Sequence, residues 1–191
     1  MAEKNPSDAA WLGLEGRVCV VTGGGSGIGA ETARRLAQAG ATVAVLDRNE
    51  SGAREVATQI TNRGGRAIGL AVDVSRSPSV ADAAVRVQQT FGPCQVLINN
   101  AAVLSGGALL DLDLDRWNQL ISVNLTGALV CTQIFGRQMV EAGRSGSMVH
   151  VASIAGHCPM PDGGAYSVSK AGVKMLSRQL SVELAPHGIR S

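Results

Sequence analysis

Aromatic side chains are scarce in this chain: Trp11, Phe91, Trp117, Phe135 and Tyr166 are the only five among 191 residues. No basic run exceeds two residues and the formal net charge is +2, so the electrostatic footprint of a nucleic-acid or anionic-membrane binder is missing. No uninterrupted apolar stretch approaches the roughly 18 residues of a membrane-spanning helix. Met1 to Ala10 is polar and mixed in charge, without the apolar middle of a secretory signal. Cys19, Cys94, Cys131 and Cys158 are scattered, with no C-x-x-C pair and no metal-ligand spacing. Cys19 and Cys94 stand beside strand-like runs and read as buried free thiols rather than disulfides. The expectation is a cytoplasmic protein with no nucleic-acid, membrane or metal partner.

Glycine, by contrast, is abundant: 24 residues, close to twice the usual share of about 7%. The hydrophobic fraction of 45% and charged fraction of 17% suit a packed core and exclude disorder. The length suits one domain. Residues 1–15 read as an N-terminal extension anchored by Trp11 and Leu14, and 16–191 as the domain proper. Short β-branched runs at Val18–Val21, Thr42–Leu46, Ala67–Val72, Val96–Ile98 and Met148–Val151 read as strands. Helical patterns lie between them near 28–39, 50–63, 78–91, 112–142 and 166–186. Such alternation predicts an α/β fold, a doubly wound parallel sheet with helices on both faces. The strands are apolar throughout instead of alternating, as two covered faces require. Gly40 and Gly64-Gly65 punctuate the ends of the first two helices.

The run Thr22-Gly23-Gly24-Gly25-Ser26-Gly27-Ile28-Gly29-Ala30 falls between the first strand and the first helix. Glycine there permits a tight turn, close backbone approach to a pyrophosphate, and tight helix–strand packing. The following helix then presents free N–H groups and its positive dipole end to phosphate. No Lys-Ser/Thr pair follows the glycines, which disfavours a nucleoside-triphosphate loop. Asp47 ends the second strand 18 positions beyond Gly29. Its carboxylate suits the adenosine ribose hydroxyls and would repel a 2′-phosphate; capping the next helix is the alternative role. Arg48 beside it could tolerate a phosphate, but the glycine loop itself carries no basic residue, so NAD is favoured over NADP.

Tyr166 and Lys170 stand at i and i+4 of a helical run and share a face. A phenol, with a reference pKa of about 10, is a poor base near neutrality unless a neighbouring ammonium favours the phenolate. An exposed helix face would show the same spacing. Ser153 precedes Tyr166 by 13 residues at a strand end, where its hydroxyl could bond a carbonyl or alcohol. Asn124 lies inside a long helical pattern, where an amide implies either a function or a kink.

Taken together, these motifs resemble those of the classical short-chain dehydrogenase/reductase family from about Gly16 to Ser191. The family's T-G-x-x-x-G-x-G is matched by Thr22 to Gly29, its Asp-Val by Asp73-Val74, and its N-N-A-G by Asn99-Asn100-Ala101-Ala102. Its Asn-Ser-Tyr-Lys tetrad falls on Asn124, Ser153, Tyr166 and Lys170. The resemblance implies a Rossmann-type fold and reversible hydride transfer between NAD(H) and a secondary alcohol or ketone. Tyr166 would be the acid/base, and Lys170 would lower its pKa and hold the nicotinamide ribose. Ser153 would polarise the substrate oxygen, and Asn124 would hold a water linked to Lys170. Gly23, Ser26, Gly27, Ile28, Gly29, Asp47, Arg48, Asp73, Val74, Asn100, Ala101 and Ala102, with Tyr166 and Lys170, would contact the cofactor. A catalytically silent dinucleotide-binding scaffold is the alternative.

Departures from the family pattern are few. Ala102 replaces a glycine, and Cys94-Gln95 stands where the family often has an apolar residue and Asp, which predicts a weakened sheet-end contact. His157 and Cys158 follow Ser153 in a loop that borders substrate in the family; His157 is either a second base or an ordinary loop residue. His187-Gly188-Ile189-Arg190 resembles the lead into a sixth strand, so further C-terminal strands and a substrate lid are expected beyond Ser191. Apolar residues on more than one face of the last two long helices (Leu120, Leu125, Leu129, Ile134; Leu176, Leu180, Leu184) predict a homodimer or homotetramer.

Overall fold

The computed structural model describes residues 12–104, 106–143 and 145–191. Six parallel strands form one sheet: β1 (Val18–Thr22), β2 (Thr42–Asp47), β3 (Arg66–Ala71), β4 (Val96–Asn99), β5 (Gly146–His150) and β6 (Ile189–Arg190). Their order is β3-β2-β1-β4-β5-β6. The chain winds outward from β1 in one direction and then, from β4, in the other. That reversal leaves a crevice at the carboxyl ends of β1 and β4, where open sheets of this kind bind ligands.

β1, β2 and β4 are apolar for the reason expected, two covered faces, whereas β3 is exposed at both ends and Val149 of β5 is 48% exposed. Val18, Val20, Ala44, Leu46 and Leu97 enter one core with residues of α3 (Ser77–Phe91) and α5 (Gly127–Glu141). Cys19, Val21, Val43, Val45 and Ile98 enter a second core with α1 (Gly27–Gln38) and α2 (Glu50–Asn62). Every residue of β1 is buried as a result. Leu14 packs against the second core, whereas Trp11, its expected companion anchor, lies outside the described residues. Cys19, Cys94 and Cys131 are buried free thiols and Cys158 is exposed. Burial pushes the Cys19 and Cys131 thiols up to about 12, so both stay protonated and behave as small apolar groups.

Three expectations are adjusted. β5 begins two residues before its apolar run, because Ser147 N donates to Gln95 O and extends the ladder. The sheet-end contact at Gln95 is present, since its Oε1 accepts from Val18 N at 3.3 Å; an amide oxygen does what a carboxylate would. The long helix predicted over 112–142 is interrupted. α4 (Leu114–Ile121) passes through a π-helical turn, Ser122–Thr126, into α5. Leu114–Glu141 as a whole is, by length and composition, apolar enough to cross a membrane. Cys131, Phe135 and Met139 spend that hydropathy on the core instead. The last long helix, α6 (Gly164–Leu184), packs beside β5 and β6.

Candidate active site

The crevice is built first by hydrogen bonds that hold its loops. Thr22 Oγ1 donates to Ile98 O and accepts from Asn100 N and Ala101 N, so one buried hydroxyl joins the ends of β1 and β4. Asn100 Nδ2 donates to Thr22 O and to Gly23 O, each at 3.0 Å. Asp47 Oδ2 accepts from Gly25 N at 2.9 Å and its Oδ1 from Asn49 N. Capping of α2 falls to Asn49, whose side chain accepts from Gly52 N, and not to Asp47. Thr22 stands in the glycine motif, yet its clamping role depends on the pairing of β1 with β4 and is not readable from the motif alone.

Two glycines are demanded by this geometry. A Cβ on Gly29 would run into the Gly23 carbonyl oxygen and Asn100 Nδ2, so only glycine lets α1 pack this close. Gly27 has φ +52° and nothing within 4 Å of its Cβ direction, so it opens the loop at the start of α1. The N-cap, Ser26, makes no side-chain capping bond, which leaves the first amides of the helix for a ligand.

Around these elements lies an open cleft of about 370 Å³. It is lined by Gly23, Ser26, Gly27, Ile28, Asp47, Arg48, Asp73, Val74, Asn100, Ala101 and Ala102, together with Val72 and Val103. The structure therefore gathers eleven of the expected cofactor-contacting residues into one cleft, from the ends of four strands. Gly29 stands behind them as packing. Ile28 is 70% exposed at the cleft. Asp73 is positioned by Ser75, whose N and Oγ both donate to its Oδ1. An open glycine turn, a carboxylate at the end of β2 and unused helix amides fit an extended dinucleotide.

The tetrad residues lie beyond β4. Lys170 is 3% exposed, and its Nζ donates to Val151 O at 2.7 Å. That bond ties α6 to the segment leading into Ser153, which caps a short 3₁₀ turn, Ile154–Gly156, through Ala155 N. Lys170 Nζ stands 5.7 Å from the centroid of the Tyr166 ring, confirming a shared helix face. Burial pushes the Lys170 ammonium down from its ordinary range. Asn124 sits in the π-helical turn, 2% exposed. Its Oδ1 accepts from Val103 N, and its Nδ2 donates to Val103 O and Ser169 Oγ. Asn124 thus pins the loop after β4 to α6, and the helix irregularity its amide implied falls there.

A small, partly open cavity, with about 10 Å³ open to the centre of a water molecule, is bordered by Thr22, Asn99, Asn124, Val151 and Lys170. Val74 and Ala101 line both it and the large cleft, so the Lys170 side of the site adjoins the glycine-loop side. His157 lies outside both: its Nδ1 is 2.8 Å from Lys174 Nζ. Among the described residues no cluster of His, Cys, Asp and Glu has the makings of a metal site.

Comparison with known proteins gives one consistent picture. The family model described as short chain dehydrogenase matches residues 17–191. Cis-4-hydroxycyclohexanecarboxylate dehydrogenase of Sinomonas cyclohexanicum is 42% identical over 175 residues, 91% of this chain and 70% of that protein. D-threitol dehydrogenase of Mycolicibacterium smegmatis is 37% identical over 177 residues, 93% of this chain and 68% of that protein. The crystal structure of a short-chain type dehydrogenase/reductase from Mycobacterium marinum superposes with a TM-score of 0.89 at 34% identity. It covers 93% of this chain and 70% of that one.

Proposed function

The chain belongs to the short chain dehydrogenase family, an oxidoreductase family that uses NAD(P), and on that footing we propose that it oxidises a secondary alcohol, or reduces the ketone, with NAD(H). The observation that carries the reading is the contiguity of the two halves of the site. A cleft shaped for a dinucleotide shares Val74 and Ala101 with the cavity beside Lys170. Residues 16–191 form the dinucleotide-binding and catalytic domain in this reading, and 1–15 an extension.

Gly23, Ser26, Gly27 and Ile28 hold the pyrophosphate against the N-terminus of α1, Asp47 holds the adenosine ribose, and Asp73 and Val74 lie along the adenine. Asn100, Ala101 and Ala102 floor the cleft. The carboxylate of Asp47 favours NAD over NADP because a 2′-phosphate would meet it directly. Bound there, the nicotinamide supplies the hydride acceptor or donor. Tyr166 takes the alcohol proton as phenolate, or returns it to the ketone oxygen as phenol. Lys170, an ammonium about one helical turn away, favours the phenolate and holds the nicotinamide ribose. Ser153 orients the reacting oxygen. Asn124 borders the water-sized cavity with Lys170, the placement that a water-holding role needs.

The relatives named for cis-4-hydroxycyclohexanecarboxylate and for D-threitol support an alcohol as substrate class. A cytoplasmic homodimer or homotetramer is part of the same reading. Leu120 and Leu180 are spent inside the subunit, but Val168, Met175 and Val182 are exposed at seven-residue spacing on one face of α6, a stripe suited to a second helix. The direct test is titration with NAD and NADP followed by NADH formation on a panel of secondary alcohols. Turnover with NAD supports the proposal; tight dinucleotide binding without turnover on any alcohol or ketone points to a binding scaffold instead.

A further inference from the structure

The cavity beside Lys170 has a second polar wall in Asn99, the first residue of the Asn99–Ala102 motif and the one in it without an assigned role. Asn99 closes β4, is 6% exposed and lines the cavity with Lys170. Its Nδ2 donates to Ala128 O at 3.3 Å and Thr132 Oγ1 at 3.1 Å, and lies 3.2 Å from His150 Nδ1, which accepts only when that ring nitrogen is unprotonated. Its Oδ1 has no hydrogen-bond partner among the described residues. A buried amide oxygen left unpaired is costly, and a space of about 10 Å³ for water centres, bordered by Lys170, Asn124 and Thr22 among mostly apolar neighbours, accommodates one molecule. Lys170 carries three N–H donors, one of which goes to Val151 O. The cavity lining contains no carboxylate to offset the Lys170 charge.

We propose that Asn99 is a positioning residue for Lys170: one ordered water in this cavity accepts from the Lys170 ammonium and donates to Asn99 Oδ1, while His150 and Thr132 fix the amide so that its oxygen faces that water. The inference rests on the reading of Lys170 as the ammonium that acidifies Tyr166. Asn99 and His150 are register partners on adjacent strands, so the sheet itself sets the contact. To accept from Asn99 Nδ2, a neutral His150 would carry its proton on Nε2, which has no hydrogen-bond partner among the described residues; burial favours the neutral ring but not one tautomer over the other. A protonated His150 would offer a donor on Nδ1 and favour the opposite amide orientation. Among the described residues, Tyr166 on α6 near Lys170 and His150 on β5 behind Asn99 are ionisable side chains that flank the array. Charge-assisted bonding through the water returns to the buried ammonium part of the solvation it lost, and so holds that charge beside the Tyr166 ring.

A high-resolution crystal structure of the wild-type protein is the first test. A water within hydrogen-bond distance of both Asn99 Oδ1 and Lys170 Nζ is expected; a dry cavity, or a water touching only one of them, overturns the proposal. The second test compares pH profiles of kcat/KM for wild type and Asn99→Leu. The alkaline-active limb should move up by about one pH unit, a tenfold loss at fixed pH on that limb, with activity recovered at higher pH. A loss equal at every pH would mark a structural role and overturn it. If Asn99→Leu does not fold, the wild-type crystal structure decides alone. An enzyme inactive on every alcohol would defeat the functional reading without touching the crystallographic result, so the two failures are separable.

Discussion

Lys170 Nζ donates to the carbonyl of Val151 at 2.7 Å, and this single bond joins the helix carrying Tyr166 to the segment carrying Ser153. A lysine buried for packing alone would be an expensive choice, because desolvation penalises its charge. Here the charge is held at the one place where β4, β5, α6 and the π-helical turn converge. The fold positions it through main-chain contacts, leaving its remaining donors for the site.

Two glycines give a clean contrast between close packing and backbone strain. Gly29→Ala forces a methyl into Gly23 O; overpacking of that kind costs roughly 1–3 kcal/mol and should abolish measurable NAD binding. Gly64→Ala, at φ +80° in open space, should cost only about 1 kcal/mol and leave NAD binding unchanged. Thermal melts paired with dinucleotide titration check both.

Asp47→Ala should weaken NAD about tenfold or more while NADP loses little or gains, so that the ratio of the two dissociation constants moves toward NADP. Part of the NAD loss comes through the loop, since Asp47 also holds Gly25 N. Titrations of the variant with the two cofactors separate these contributions: loss through the loop falls on both, loss of the ribose contact on NAD alone.

His150 gives stability a pH dependence of definite sign. Burial lowers its pKa below 6.5 in the folded state, so under acid conditions the unfolded chain binds the proton more readily. Its contribution is complete above about pH 6.5 and is lost as pH falls toward the folded-state pKa, by at most about 1.4 kcal/mol per pH unit. His150→Gln should flatten the unfolding free energy against pH in that window, as measured by denaturant titration.

Met175 is 60% exposed at the centre of the α6 stripe. Light scattering of the wild type should report a dimer or tetramer at micromolar concentration, and Met175→Glu should shift it toward smaller species. A wild-type monomer would contradict the proposed assembly.

The sheet and its cleft were largely legible because apolar runs and the Thr22–Gly29 turn are local signals. The π-helical turn at Asn124 was not, since apolar periodicity runs unbroken through Val123 and Leu125 and conceals the added residue. Ser169, which Asn124 meets 45 residues away, reads in sequence only as a small polar neighbour of Lys170. The Asn99–Thr132–His150 array was equally hidden. It exists because β4 and β5 pair in one register, and registers between distant strands are set by packing rather than by any local motif. Conversely, the capping role that stood as the alternative for Asp47 falls to Asn49, and Asp47 braces the glycine turn.

The most direct test of the account is the ratio of kcat/KM between wild type and Tyr166→Phe in NAD-dependent oxidation of the best alcohol found. Removing one hydroxyl leaves the ring, the Lys170 contact and the cleft in place. The account predicts a fall of about 10²–10⁴-fold with the NAD dissociation constant essentially unchanged. A Tyr166→Phe enzyme that retains near wild-type kcat/KM would contradict it.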